Sequence, residues 1–380
     1  MSALTICALL SLVIWIYLLL GHAMFWRARV RDDADIPLDP ASWPSVTAVV
    51  PARNEADAVA ASLGTLLAQN YPGAFHVVLV DDQSEDGTGS IARALDGTGK
   101  LIVISGIPRP AGWTGKLWAM SQGVACAGES HAPDYIWFTD ADIAHAPDSL
   151  RRLVGRAGQR NLVLTSLMAK LSCVTPAEHA FIPAFVYFFQ MLYPFPRVND
   201  FGSTTAAAAG GCMLVRREAL ERTGGLSAIR NALIDDCALG KLMKKQGPIW
   251  LGLTERAVSI RPYADWTAIH RMVARSAYAQ LNYSLLLLAG TLVGLFVIFV
   301  APVLLVVFGT GPVRLAGIAG WFLMAASFLP MLRFYHRSPF WGLALPAIAL
   351  AYAASTLESA IQHWRGRGGM WKGRAQAITQ

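Results

Sequence analysis

Hydrophobic residues in this chain occur as long unbroken runs near both ends and as short β-branched runs in between. Residues 3 to 20 hold no charged side chain and are long enough to cross a bilayer. After Tyr283 three further apolar stretches follow, at about 283–308, 313–331 and 341–360, with Pro302, Pro330 and Pro346 inside them or at their edges. At least two of these are expected to span. The middle of the chain differs. VTAVV (46–50), HVVLV (76–80), LIVI (101–104) and YIWFT (135–139) are runs of the kind that form parallel strands buried on both faces. Between the first two, Glu55 to Ala68 sets Val59, Leu63, Leu66 and Leu67 on one side of a helix. Strand and helix in alternation predict a Rossmann-like α/β sheet, in which ligands bind beyond the carboxyl ends of the strands.

This pattern divides the 380 residues into an N-terminal transmembrane helix (1–22), a polar, proline-bearing linker (23–44), an α/β domain (45–262), a connecting segment (263–282), a C-terminal membrane region (283–360) and a basic tail (361–380). Arg27, Arg29 and Arg31 follow the first run directly, so the positive-inside bias puts the α/β domain in the cytoplasm and the N-terminus outside. A cleaved signal peptide is the alternative, but no basic region precedes the run and no clear small-residue cleavage site follows it. Three C-terminal spans would carry the tail outside. Arg365, Arg367, Lys372 and Arg374 in that tail, and Arg333 and Arg337 before the last stretch, favour the cytoplasm instead. The stretch 341–360, with Pro346 and Glu358 inside it, is therefore expected to be re-entrant, interfacial or a tight hairpin.

Composition agrees with a membrane protein: 54% of residues are hydrophobic and only 15% charged, yet the net charge is +7. A basic excess on so small a polar surface suits anionic lipid head groups or phosphate-bearing substrates. Nucleic acid is the rival partner, but no basic helix, aromatic-studded sheet motif or zinc spacing supports it. The five cysteines, Cys7, Cys126, Cys173, Cys212 and Cys237, are scattered and form no CxxC pair, so they are expected to be reduced and buried.

Four polar clusters punctuate the α/β region, Pro51-Ala52-Arg53-Asn54-Glu55, Asp81-Asp82-Gln83-Ser84, Asp140-Ala141-Asp142 and Asp235-Asp236, each expected at the end of a strand. Acidic residues gathered at one sheet edge suit a metal and a diphosphate, since carboxylates give hard oxygen ligands to Mg²⁺ or Mn²⁺. Any one pair could instead be a turn or a helix cap. The eight histidines form no HExxH, no Ser-His-Asp spacing calls for a hydrolase, and phosphate loops of the Walker or dinucleotide type are absent from the sequence.

Read in order, VVPARNE, VDDQSEDGT, GKLWAMSQGV, FTDADI, GGCMLVRREALERTGG and DDCALGKLMKKQG resemble the successive signatures of the family 2 inverting glycosyltransferases, over about residues 45 to 262. FVYFFQMLYPF, WKGR and the apolar runs resemble the lipid-modifying branch, which includes ceramide glucosyltransferases and the hopene-associated glycosyltransferases of bacteria. The resemblance implies a GT-A catalytic domain with one N-terminal and two to three C-terminal transmembrane helices, held in the bacterial inner membrane as a multi-pass protein. It implies a nucleotide-sugar donor, expected to be UDP-linked, and a membrane lipid acceptor such as a hopanoid. Among the residues that match, Asp82 would accept hydrogen bonds from the uracil or ribose, with Pro51, Arg53 and Glu55 lining the same pocket. Lys116, at a predicted helix start, would meet the diphosphate. Asp142 would be the direct metal ligand, and Asp140 would hold the ribose or the metal's water shell. Asp236 would be the general base, beside an Asp235 that caps the helix.

One family feature is missing. The stretch DWTAIHRMVARSAYAQL lacks the Arg-Trp pair that closes the site in many members, which disfavours polymer synthesis and favours transfer of a single sugar. Trp266, Arg271 and Arg275 are candidates for its duties, or else the segment is a basic interfacial helix with His270, Arg271 and Arg275 towards phosphate head groups. FIPAFVYFFQMLYPFP (181–196) is open to two readings as well, a buried core helix or a membrane-surface helix that guides the lipid acceptor. Two further functions compete with transfer to a lipid hydroxyl: transfer to a polyprenyl phosphate, which needs no general base, and a catalytically silent scaffold that keeps the fold.

Overall fold

The computed structural model describes residues 2–97, 99–371 and 374–375. Lys372, Gly373 and the last five residues, which include part of the basic tail and of the WKGR phrase, lie outside the described residues. The chain divides into two compact units. One is built from Val30–Ser172 and Phe195–Arg261; the other holds the N-terminal segment to Arg29, Cys173–Pro194 and Pro262–Met370.

The first unit is a mixed α/β sheet of eight strands: β1 (Val46–Ala52), β2 (Phe75–Asp81), β3 (Leu101–Ser105), β4 (Tyr135–Thr139), β5 (Ile143–His145), β6 (Leu164–Lys170), β7 (Cys212–Arg216) and β8 (Ile249–Ser259). They lie in the order β3-β2-β1-β4-β7-β6-β8-β5. The four β-branched runs are the four strands β1 to β4, and they pair in parallel. β7 runs antiparallel to both β4 and β6, β8 lies parallel to β6, and β5 pairs antiparallel with β8. The exits of β1, β2, β4 and β8 and the entry to β7 therefore share one edge.

Every residue of β1 is buried, as its unbroken apolar run requires. Val59, Leu63 and Leu66 of the helix Ala56–Leu67 join the core that contains Val46, Ala48, Val50 and Ala52, each leucine contributing about 1.5–3 kcal/mol by its burial. The helix Gly115–Ser130 packs on β1 and β2 with a glycine at the contact: a Cβ on Gly123 would come within 2.4 Å of Val49 Cγ1. Residues 32–44 contain no helix or strand but are tied down. Asp32 Oδ2 accepts from Thr254 Oγ1 at 2.7 Å, and Asp35 pairs with Arg156 and Arg160 at 2.8 and 2.7 Å.

The second unit is helical. Among the described residues three helices are long and apolar enough to cross a membrane: Ala3–Leu20, Leu285–Phe308 and Gly311–Phe334. The helix Leu345–Trp364, formed by most of the last apolar stretch, is not one of them. It packs on the helix Trp266–Ala274, where His270 Nδ1 and Ser355 Oγ are 2.8 Å apart, while Arg271 and Arg275 are exposed. Within Leu285–Phe308 the backbone passes through a π-helical turn at Phe296–Val300, just before Pro302. Proline has no N–H to give the carbonyl four residues back, that of Ile298. The indole Nε1 of the fully buried Trp15 donates to that carbonyl at 2.8 Å.

The run 181–196 is split. Its first part ends the helix Pro176–Leu192 and its end opens a separate short helix, Phe195–Asn199, which belongs to the α/β unit. Ile182, Ala184, Val186 and Tyr187 are buried, Tyr187 Oη meets Ser327 Oγ at 2.8 Å, and Phe188 packs on Phe299 and Tyr352. Of the two readings, this packing is that of a core helix. All five cysteines are free thiols; Cys212 and Cys237 are buried as expected, whereas Cys7, Cys126 and Cys173 are only half-buried.

Candidate active site

The exits of β1 and β2 are laced together. Arg53, buried just beyond β1, donates from Nη1 to the carbonyl oxygens of Asp82 at 2.5 Å and Gln83 at 3.1 Å. Asn54 N donates to Ser84 Oγ, and Glu85 N donates to Asn54 Oδ1, each at 3.0 Å. Asn54 and Gln83 both adopt left-handed backbone, with φ of 51° and 56°. Such conformations cost energy outside glycine and concentrate at functional sites. Asp82 is buried under this lacing, Pro51 is buried within β1 opposite Val80, and Glu55 is the residue before the helix Ala56–Leu67. Glu55 forms an ion pair with Arg261, two residues past the end of β8.

Beyond β4, Asp140 and Asp142 turn to different cations. Asp140 Oδ1 is 2.8 Å from Lys116 Nζ, and Asp142 Oδ2 accepts from Arg261 Nε at 3.1 Å. Lys116 lies in the first turn of Gly115–Ser130 and also reaches Asp235 Oδ2 at 3.3 Å. Burial works against its charge, but the Asp140 and Asp235 carboxylates, with Asp236 behind them, hold the ammonium above its ordinary pKa.

Asp235 and Asp236 open the helix Asp235–Lys244. The Asp236 carboxylate accepts from the backbone amides of Gly210 at 2.9 Å and Cys237 at 2.7 Å. Burial and the like charge of Asp235 raise its pKa to about 6, against the pull of Lys116 and the two amides. A carboxylate so tuned is suited to take a proton near neutral pH. Glycines make the approach possible. A Cβ on Gly210 would lie 3.2 Å from Lys116 Nζ and 3.4 Å from Asp236 Oδ2, and one on Gly240 would strike the Ala207 carbonyl carbon at 2.6 Å.

The structure thus brings Lys116, Asp140, Asp235 and Asp236 into one cluster, Glu55, Asp142 and Arg261 into a second, and Arg53 and Asp82 into a third, all on the α/β unit. Two expectations change. The Asp235-Asp236 pair stands on the first turn of a helix and not at a strand end, because the polypeptide makes a 3₁₀ turn at Gly225–Ile229 and a loop between β7 and that helix. Neither aspartate makes a side-chain cap: Asp236 accepts from the Gly210 and Cys237 amides, and Asp235 pairs with Lys116. Lys116 pairs with Asp140 and Asp235. Asp140 and Asp142 each pair with a different cation, Lys116 and Arg261. Arg275 belongs to the helical unit, at the end of Trp266–Ala274. Arg261 and Gly210 are the residues that sequence reasoning passed over.

Among the described residues no group of three His, Cys, Asp or Glu side chains is placed to hold a metal ion. Asp140 and Asp142 nevertheless offer hard carboxylate oxygens on side chains that are 34% and 21% exposed. That donor set fits Mg²⁺ or Mn²⁺ provided that phosphate and water oxygens supply the other ligands, as is usual for Mg²⁺ in nucleotide sites.

Comparison with known proteins gives this geometry a context. Over 114 residues the chain is 36% identical to the succinoglycan biosynthesis protein ExoU of Rhizobium meliloti, covering 30% of each chain. Over 213 residues it is 27% identical to the 4,4'-diaponeurosporenoate glycosyltransferase of Staphylococcus aureus, covering 53% of this chain and 52% of that one. The chain therefore spans about half or less of the length of these relatives. In fold it is similar to the mannosyltransferase PcManGT of Pyrobaculum calidifontis, solved with GDP-Man and Mn²⁺, at a TM-score of 0.54 and 19% identity over 94% of this chain and 99% of that one. Residues 47–224, which carry Arg53, Glu55, Asp82, Lys116, Asp140, Asp142 and Gly210, match the model described as Glycosyl transferase family 2, so the chain contains a domain of that family.

Proposed function

We propose that this protein is an inverting membrane glycosyltransferase that moves a single sugar from a nucleotide sugar, UDP-linked, to the hydroxyl of a membrane lipid, a hopanoid or a similar alcohol. The observation that carries the reading is Asp236: a carboxylate with a pKa raised to about 6, fixed by two amides and adjoining the Lys116–Asp140 pair. The family 2 domain supports the donor class. Three span-length apolar helices support a lipid acceptor, and Arg27, Arg29 and Arg31 support a multi-pass protein of the bacterial inner membrane whose catalytic domain is cytoplasmic.

In this mechanism the acceptor hydroxyl gives its proton to Asp236 as its oxygen bonds to C1 of the sugar. The bond from C1 to the diphosphate oxygen breaks, and the nucleoside diphosphate leaves from the opposite face. Arg53 holds the loop of Asp82 in shape, and Asp82, Glu55 and Pro51 form the nucleotide pocket. Lys116 balances the carboxylates around the reacting centre, and Asp235 fixes Lys116. A divalent cation held through Asp140 and Asp142 would neutralise the leaving diphosphate.

Asp236→Asn tests the reading directly. Transfer to a lipid hydroxyl should fall by about 10²–10⁴, the usual contribution of a general base. UDP binding by calorimetry should stay within about twofold. Wild-type transfer by the variant would overturn the assignment and favour a phosphate acceptor.

A further inference from the structure

Arg261 sits where two carboxylates of the candidate site meet. It lies beyond β8, on the edge from which β1 and β4 also exit, and its guanidinium bridges Glu55 and Asp142, with Nε 3.1 Å from Asp142 Oδ2. The backbone beneath is fixed separately, because Ile260 N donates to the Asp142 carbonyl at 2.9 Å. The arginine side chain is 40% exposed, against 11% for Glu55 and 21% for Asp142. The cation is thus the accessible and flexible partner, on a long stem, while the carboxylates sit on short stems at the sheet edge. Ion pairs with an exposed partner are weak and readily exchanged.

We propose that Arg261 is a competing cation: in the absence of nucleotide its guanidinium keeps a divalent metal ion off Asp142, and the donor's diphosphate draws it away, so that metal binding becomes dependent on nucleotide. This rests on the reading that Asp142 takes part in holding a divalent cation beside a nucleotide. A guanidinium and a divalent ion both neutralise a carboxylate, and the one excludes the other from the same oxygen. A diphosphate is a better partner for a planar guanidinium than two separate carboxylates, because it offers adjacent anionic oxygens to a forked donor. The coupling runs both ways, so Mn²⁺ should strengthen nucleotide binding by the same factor as nucleotide strengthens Mn²⁺ binding.

The test is a titration of Mn²⁺ into the purified full chain, with free Mn²⁺ read by electron paramagnetic resonance, in the presence and absence of UDP. Without UDP, Arg261→Gln should bind Mn²⁺ about tenfold more tightly than the wild type, and the gain in Mn²⁺ affinity on adding UDP should shrink in proportion. Arg261→Lys should tighten Mn²⁺ binding by a smaller factor, about threefold, because an ammonium does not bridge two carboxylates as a guanidinium does. Circular dichroism establishes that each variant is folded; if Arg261→Gln is not, Arg261→Lys decides alone. Wild-type or weaker Mn²⁺ affinity in the folded variants without UDP, with normal Mn²⁺ binding when UDP is present, would overturn the inference and leave the proposed function standing. UDP binding with no Mn²⁺ binding by any of the proteins would overturn the inference and the metal role of Asp142 together.

Discussion

The backbone amide of Gly210 donates to the Asp236 carboxylate at 2.9 Å, so the proposed base is held by a residue with no side chain of its own. A methyl group there would lie 3.2 Å from Lys116 Nζ and 3.4 Å from Asp236 Oδ2. The Lys116 ammonium would have to give by a few tenths of an ångström, while Asp236 Oδ2 is at ordinary contact distance. Gly210→Ala should therefore lower kcat by about 10-fold through displacement of the ammonium from beside the base, with little change in UDP affinity. Steady-state kinetics set beside calorimetric UDP binding would read the split.

Asp236 must be ionised to accept a proton. Activity should therefore rise with pH and level off above about 6, as a single ionisation. Lys116 opposes the upward shift, so Lys116→Gln should move that limb to higher pH by about one unit or more, as loss of a nearby opposite charge does. The sign for stability is the reverse of that for a salt-bridged carboxylate. With a folded pKa above the ordinary 3.8, Asp236 holds its proton more firmly in the folded chain, so its contribution to stability falls as pH rises from 3.8 to about 6. Asp236→Asn should flatten that part of a melting-temperature profile.

In the helical unit, Trp15 supplies the hydrogen bond that Pro302 cannot give to the Ile298 carbonyl. Trp15→Phe keeps most of the buried ring but removes the donor, and should cost about 1–3 kcal/mol for a buried carbonyl left unsatisfied. Replacing Pro302 by Ala in the Trp15→Phe background should recover part of the loss, since the alanine N–H is available to the helix. Unfolding in detergent, followed by circular dichroism, would measure both.

Strands β1, β2 and β4 were legible because each is a continuous apolar run buried on both faces over most of its length, and β3 was legible from its β-branched run although it is a half-buried edge strand. The other half of the sheet was not. β8 reads IWLGLTERAVS, and its apolar run is broken by Glu255 and Arg256, which project to their own ion-pair partners. Without β8 as a strand, nothing in the sequence marks Arg261 as standing beside Glu55 and Asp142. The Asp235-Asp236 pair was legible as chemistry but not as position, because a helix start and a strand exit attract the same residue types. The clusters at residues 51–55, 81–84 and 140–142 were legible as a group, but which cation each carboxylate takes depends on side-chain reach across the sheet edge, and spacing in the sequence does not encode that.

The close approach of Gly123 to Val49 sets more than the packing of one helix. Lys116 rides on that helix two turns away, so the depth at which the helix beds on the sheet determines how far the ammonium extends among Asp140 and Asp235. Enlarging residue 123 would lift the helix, and the site would respond as though the lysine had been shortened. The length of a catalytic-edge side chain is in this sense written partly in a residue two turns further along the same face of its helix.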